Sequence, residues 1–157
     1  MKTLSDAFEH TLQDIYFAEQ ALAKALPGIE KAANGKSLKQ VISSHLDETK
    51  GQIKTLEKVF KSIGKEAIGK KCDAMAGLIK EAEGIAKEAT GTARDAALIG
   101  ACQAVEHYEI SRYGTLREWA KVLGHHDAHD MLTAILDQEK AANSKLTDLA
   151  VSAINEA

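Results

Sequence analysis

The chain has 157 residues, with 20 Lys and Arg against 23 Asp and Glu, a formal net charge of −3 and only 4% aromatic residues. That length suits one domain able to bury about two thirds of its unfolded surface, and a composition rich in Ala, Lys, Glu and Leu favours helix over sheet. The interspersed charges do not form the basic stripe of a nucleic-acid binder, and no run reaches the ~18 apolar residues of a membrane span, so neither partner is expected.

The opening MKTLSDAFEH lacks the apolar core of a signal peptide. Cys72 and Cys102 form neither a CxxC motif nor a disulfide framework. A cytoplasmic location with two unpaired thiols is expected. A first helix is predicted from a cap at Thr3 or Ser5, with Phe8, Leu12, Ile15, Leu22 and Leu26 on one face. It ends at Pro27–Gly28 or runs on, kinked, to the stop in ANGK. A second helix is predicted from Ser37 as cap to Ile63, ended by Gly64, with Leu38, Ile42, Leu46, Ile53, Leu56, Phe60 and Ile63 at spacings of three and four. Residues 65–91 then form a long crossover holding a short helix in DAMAGLIKEAEGIAKEA. The third long helix spans about Thr92 to Leu123, stopped by Gly124, and the fourth about Asp127 to Ile154. Short joins within each pair and one long crossover predict an all-α, ferritin-like four-helix bundle, a single domain over residues 1–157.

The stretch VEHYEISRYGTL (105–116) breaks the pattern of its own helix. At about 100° per residue, Glu109 falls about 20° from Cys102 and Glu106 about 40° to the other side, so two carboxylates occupy the stripe that should be buried. An isolated buried carboxylate costs more than any single apolar contact returns. The same arithmetic puts Glu19 beside Leu12 in the first helix and Glu139 on the line of Leu132 and Leu146 in the fourth. In the second helix His45 lies inside the stripe and Glu48 at its edge, level with Val41 and Val59. Every long helix therefore sends a metal-competent side chain inward near mid-length, which is how dinuclear carboxylate bundles are built. Glu19, Glu48, Glu106, Glu109 and Glu139 bring five negative charges inward, which two divalent or trivalent ions nearly neutralise. Oxygen ligands with one imidazole suit iron or manganese.

The first and third helices echo one another weakly: LQDIYFAEQALAKAL overlays CQAVEHYEISRYGTL and places Glu19 on Glu109. Tyr16 and Tyr113 flank the cluster, and Cys102 precedes Glu106 by one turn as a small core residue. His107 points away from the buried centre, and GHHDAHD (124–130), with His125, His126 and His129, reads as an exposed helix start.

DIYFAEQAL, HLDETKGQIKTLEKVF, CDAMAGLIKE, VEHYEISRYGTL and ILDQEKAANSKLTDLA, spread over essentially the whole chain, together resemble the YciE/YciF family of small bacterial stress-associated proteins within the ferritin-like superfamily. The resemblance implies a ferritin-like fold, a homodimer and a dinuclear centre comparable to that of rubrerythrins. On that pattern Glu19 matches the single acid of the first helix, Glu106 and Glu109 the ExxE pair of the third, and Glu139 the bridging acid of the fourth. Two positions depart from it: the second helix reads His45-Leu46-Asp47-Glu48, the reverse of ExxH, and Ala142 stands where the fourth helix would carry its histidine. The expectation is a stress protein with two iron and/or manganese ions that react with peroxide or oxygen. In it Glu48 and Glu139 bridge, Glu19 and Glu109 are terminal ligands, and Glu106 and His45 complete the coordination. The competing expectation is a non-catalytic stress protein whose metals only hold the bundle together. No CxxC pairs are present to supply electrons, so the electron donor is left open.

Overall fold

In a computed structural model that describes residues 1–154, Thr3 begins the first helix through a capping box. Its hydroxyl accepts from the Asp6 amide at 3.1 Å, and the Asp6 carboxylate accepts from the Thr3 amide. The helix α1 runs over Leu4–Ala32, passing through Pro27 rather than ending there. An interior proline costs a helix about 3 kcal/mol. Here Pro27 is exposed while Leu26, Ile29 and Ala33 on either side are buried, and burial of two large aliphatic side chains at about 1.5–3 kcal/mol each offsets that cost.

The helix α2 covers Lys36–Ser62. Its cap is Gly35, with no side-chain acceptor of its own, rather than the anticipated Ser37. The acceptor comes from elsewhere in the chain: the buried Asp95 takes hydrogen bonds from the Asn34 and Gly35 amides, both at 2.7 Å. A carboxylate at a helix N-terminus satisfies free amides and favours the positive end of the helix dipole. The link pins the turn 33–35 onto a distant segment.

The crossover lies against α1, with the Lys70 amide bonded to the Gln13 carbonyl at 3.1 Å. Gly69 suits this close approach, because a Cβ would meet the Phe17 Cα at a tight 3.3 Å. The crossover continues into α3 (Asp73–Glu88), which the Cys72 thiol caps at the Met75 amide. The helices α4 (Gly91–Val122) and α5 (His126–Leu149) follow, and a single π-helical turn, Ala150–Ile154, ends the described chain. The fourth long helix thus changes character at Ala150 instead of staying α-helical to Ile154.

The described residues form helices and no strands. Helix α1 packs on α2, α4 on α5, α2 on α5 and α1 on α4, while α3 packs on α1 and α4. Their shared interior is filled by Phe8, Leu12, Leu22, Leu38, Leu56, Phe60, Leu98, Leu116 and Leu132, among others. Among the described residues no helix is long and apolar enough to cross a membrane. Cys72 and Cys102 are both free and buried.

Candidate metal centre

Helices α1, α2, α4 and α5 each contribute a buried titratable side chain to the middle of this interior. Glu19, Glu106 and Glu109 are wholly buried, Glu139 is 1% exposed and His45 6% exposed. One ligand atom from each of His45, Glu106, Glu109 and Glu139 lies within 4.8 Å of all the others. Adjacent donors on an ion bound at about 2.0–2.2 Å stand about 3–3.5 Å apart, so this group would draw together around a cation.

The polar atoms of the group are poorly matched to one another. Both oxygens of Glu109, Glu19 Oε2, Glu106 Oε2 and His45 Nε2 are buried with no hydrogen-bond partner. His45 Nδ1 lies 2.8 Å from Glu106 Oε1, at ion-pair separation but without the alignment of a hydrogen bond. Native interiors rarely leave such atoms orphaned, and here they come from three helices, α1, α2 and α4, with Glu139 of α5 beside them. A buried group of this kind can bind metal ions, and its carboxylate and imidazole donors fit that use.

The surrounding side chains hold the group in position. The Tyr113 hydroxyl donates to Glu19 Oε1 at 2.5 Å, which leaves Oε2 as the free oxygen of that carboxylate. Gln52 Nε2 donates to Glu139 Oε1. Gln52 and Thr49 are both buried and went unremarked in the sequence. The signal was available: Thr49 and Gln52 lie four and seven residues after His45, on the line that continues to Leu56. That inward line turns α2 so that Glu48 is left at the rim. Glu48 is outside the convergent group, with its side chain 28% exposed and Oε1 3.4 Å from Lys145 Nζ.

Burial dominates the electrostatics. It pushes Glu19 up to about 7, with the Tyr113 hydrogen bond and His45 opposing it. Burial, then the neighbouring Glu19, Glu139 and Glu106, hold Glu109 well above the usual carboxylate range. Burial, reinforced by Glu19 and Glu106, pushes Glu139 up to about 11. For His45, burial opposes the charged form, but Glu106, Glu19 and Glu48 outweigh it and the net shift is upward. Cys102 is pushed up to about 12 by burial and Glu106, so its thiol keeps its proton and is no competitor for a hard cation.

The remaining candidates separate cleanly. His107 is exposed, and its Nδ1 contacts the Gln103 carbonyl oxygen at 2.8 Å. Tyr16 turns from the group to Glu57, its hydroxyl donating at 3.1 Å. His125 packs its ring on Phe8, and His129 pairs with Asp130 at 3.0 Å.

The helices and this cluster define an all-helical protein with a buried carboxylate–imidazole group that can bind metal. The chain belongs to the family described as a domain of unknown function (DUF892), whose model matches residues 3–157. It is 46% identical over 157 residues to Protein YciF of Escherichia coli (strain K12), covering 99% of this chain and 95% of that protein. The crystal structure of the E. coli stress protein YciF superposes with a TM-score of 0.95 at 43% identity, over the full length of both chains. YcfI from Rhodopseudomonas palustris superposes with a TM-score of 0.89 at 50% identity, over 93% of this chain and 94% of that one.

Proposed function

We propose that this protein is a ferritin-like stress protein, active in the cytoplasm, with a dinuclear iron or manganese centre that reacts with peroxide or oxygen. In this reading α1, α2, α4 and α5 are the four helices of one bundle and α3 lies in its crossover. The ligands are Glu19, His45, Glu106, Glu109 and Glu139. One observation carries it: orphaned carboxylate oxygens and an imidazole nitrogen from α1, α2 and α4 are buried in the interior, where His45, Glu106 and Glu109 converge with Glu139 of α5. The kinship with a stress protein supports the setting.

Each residue has a task in that chemistry. Tyr113 and Gln52 fix the rotamers of Glu19 and Glu139 by occupying one oxygen of each, so the second oxygen is presented without a conformational search. Glu109 and Glu139 hold protons before loading and release them when a cation arrives. The apolar wall of Leu22, Leu26, Ile29, Ala82, Ala101 and Val105 beside His45 keeps bulk water away. Two reduced ions bound here would supply the electrons that reduce an O–O bond.

Protein purified without a metal-binding tag from iron- and manganese-replete cells is expected to carry about two equivalents of these ions per chain, the pair that neutralises the inward carboxylates. The ferrous form is expected to consume peroxide repeatedly when a reductant is supplied. A metal-free protein from replete cells would overturn the centre. A single stoichiometric oxidation without turnover would leave the metals a purely structural role.

Ala142 tests the ligand set from another side. It follows Glu139 by three residues, so the two share a face, and it lines a pocket together with His45 and Glu106. Ala142→His is expected to tighten manganese binding by about tenfold, ~1.4 kcal/mol, measured by competition with a chelator. Unchanged affinity in a folded variant would mean that the coordination is already complete.

A further inference from the structure

A narrow pocket enters the protein between α2, α4 and α5. It is lined by Val41, Ser44 and Glu48 at one side, Ala142 and Lys145 at another, and His45, Cys102 and Glu106 toward the interior. It therefore joins two members of the buried cluster to the half-exposed Glu48–Lys145 pair. Its interior has space for about one water-sized body, which is the size of an ion stripped of most of its hydration shell. The small side chain of Ala142 keeps it open: a larger residue there would project into the same space. A second pocket reaching His45 is walled otherwise by aliphatic side chains and the Cys102 thiol, and no oxygen-bearing side chain lines it.

We propose that this pocket is the entry path for a divalent cation, gated by the Glu48–Lys145 ion pair. This rests on reading the buried cluster as a metal centre. Lys145 Nζ sits 3.4 Å from Glu48 Oε1, with the two side chains 54% and 28% exposed. A pair that open to solvent is weakly held, so it exchanges readily. An arriving cation takes the place of the ammonium on Glu48, and the long lysine side chain swings into solvent. Glu48 lies one turn along α2 from His45, and His45 Nε2 waits inside without a partner. The ion passes from one carboxylate at the rim to imidazole and carboxylate donors within, along a path whose lining also includes Val41, Ile42 and Leu146. Glu48 is thus a transit ligand and not a permanent one, which accounts for an inward-edge acid that stays outside the convergent group.

The test uses the apo full-length chain mixed with Co2+ in a stopped-flow cell, following the visible absorption of bound cobalt, with final stoichiometry measured by equilibrium dialysis. Glu48→Gln leaves the Lys145 charge alone at the mouth and is expected to slow uptake by about tenfold, the scale of electrostatic steering. Lys145→Gln frees Glu48 and is expected to speed uptake. Both effects shrink as salt is raised, and both variants reach the stoichiometry of the unaltered protein. Equal uptake rates in all three proteins would overturn the gate while leaving the centre standing. Loss of a bound equivalent in Glu48→Gln would overturn it too, by making Glu48 a permanent ligand. Failure of the unaltered protein to bind Co2+ at all would remove the metal centre itself, and the entry path with it.

Discussion

Apo protein is expected to melt at a higher temperature at pH 5 than at pH 8, and the metal-loaded form to show a growing advantage over it across the same range. The sign follows from the carboxylates. Glu19 at about 7, Glu139 at about 11 and Glu109 well above its ordinary value are all raised in the folded state. A raised carboxyl means that the folded chain holds protons the unfolded chain has lost. Its stabilising contribution is complete below the unfolded value of about 4.3 and declines as pH rises toward the folded value. The contribution of Glu19 is therefore lost by about pH 7, whereas that of Glu139 goes on falling through pH 8, and that of the raised Glu109 falls in the same direction. His45, also raised, acts in the same direction above its ordinary value. One proton of difference is worth about 1.4 kcal/mol per pH unit, so a single such carboxyl removes about 4 kcal/mol between pH 5 and 8. That is a large share of a typical stability of about 5–15 kcal/mol, and on the order of 10 °C in melting temperature. Loading reverses the trend at the acid end, because protons compete with the ions for the same oxygens, and binding to the folded state alone adds stability. Paired melting series, apo and loaded, measure the gap. A constant gap, or an apo form most stable at pH 8, would mean that these glutamates reach solvent.

The cluster was legible in the sequence because helix periodicity is strict. Once Cys102, Val105 and Leu116 fix the buried side of α4, Glu106 and Glu109 have nowhere else to point, and His107 must be exposed. Glu19 and Glu139 follow by the same arithmetic. The second helix was harder. Its inward line holds His45, Thr49 and Gln52 before apolar residues resume at Leu56, and neutral polar residues do not mark a core by composition. With that line obscured, Glu48 could be placed only at the stripe's edge, where a rotation of a few tens of degrees decides between interior and rim. The start of α2 was illegible for a different reason. Its missing cap is completed by Asp95, sixty residues away along the chain, and no local pattern announces a partner at that separation. Tyr16 and Tyr113 occupied similar positions in the sequence argument, yet only Tyr113 reaches the carboxylates.

Glu109→Met is expected to make the apo protein more stable while sharply reducing its metal content. Methionine approximates the shape of glutamate without its oxygens, so the substitution removes two buried oxygens that have no partner. A buried polar group without a partner costs about 1–3 kcal/mol, so its removal in a chain of this size raises the melting temperature by several degrees. An alanine would be a poorer probe, because the cavity it leaves subtracts from that gain. Metal content is expected to fall to less than half that of the unaltered protein, since Glu109 belongs to the convergent set. His107→Ala, two residues away on the exposed face, is the control. It should alter stability by no more than about 0.5 kcal/mol and leave metal content unchanged. Metal analysis and thermal melts of the three proteins decide the matter. A residue kept for stability alone would show the opposite pattern, with Glu109→Met less stable and equally loaded, and that result would separate these carboxylates from any metal. A gain in apo stability together with a loss of metal would show why selection tolerates a core built around acids: the folded chain is strained until cations fill it.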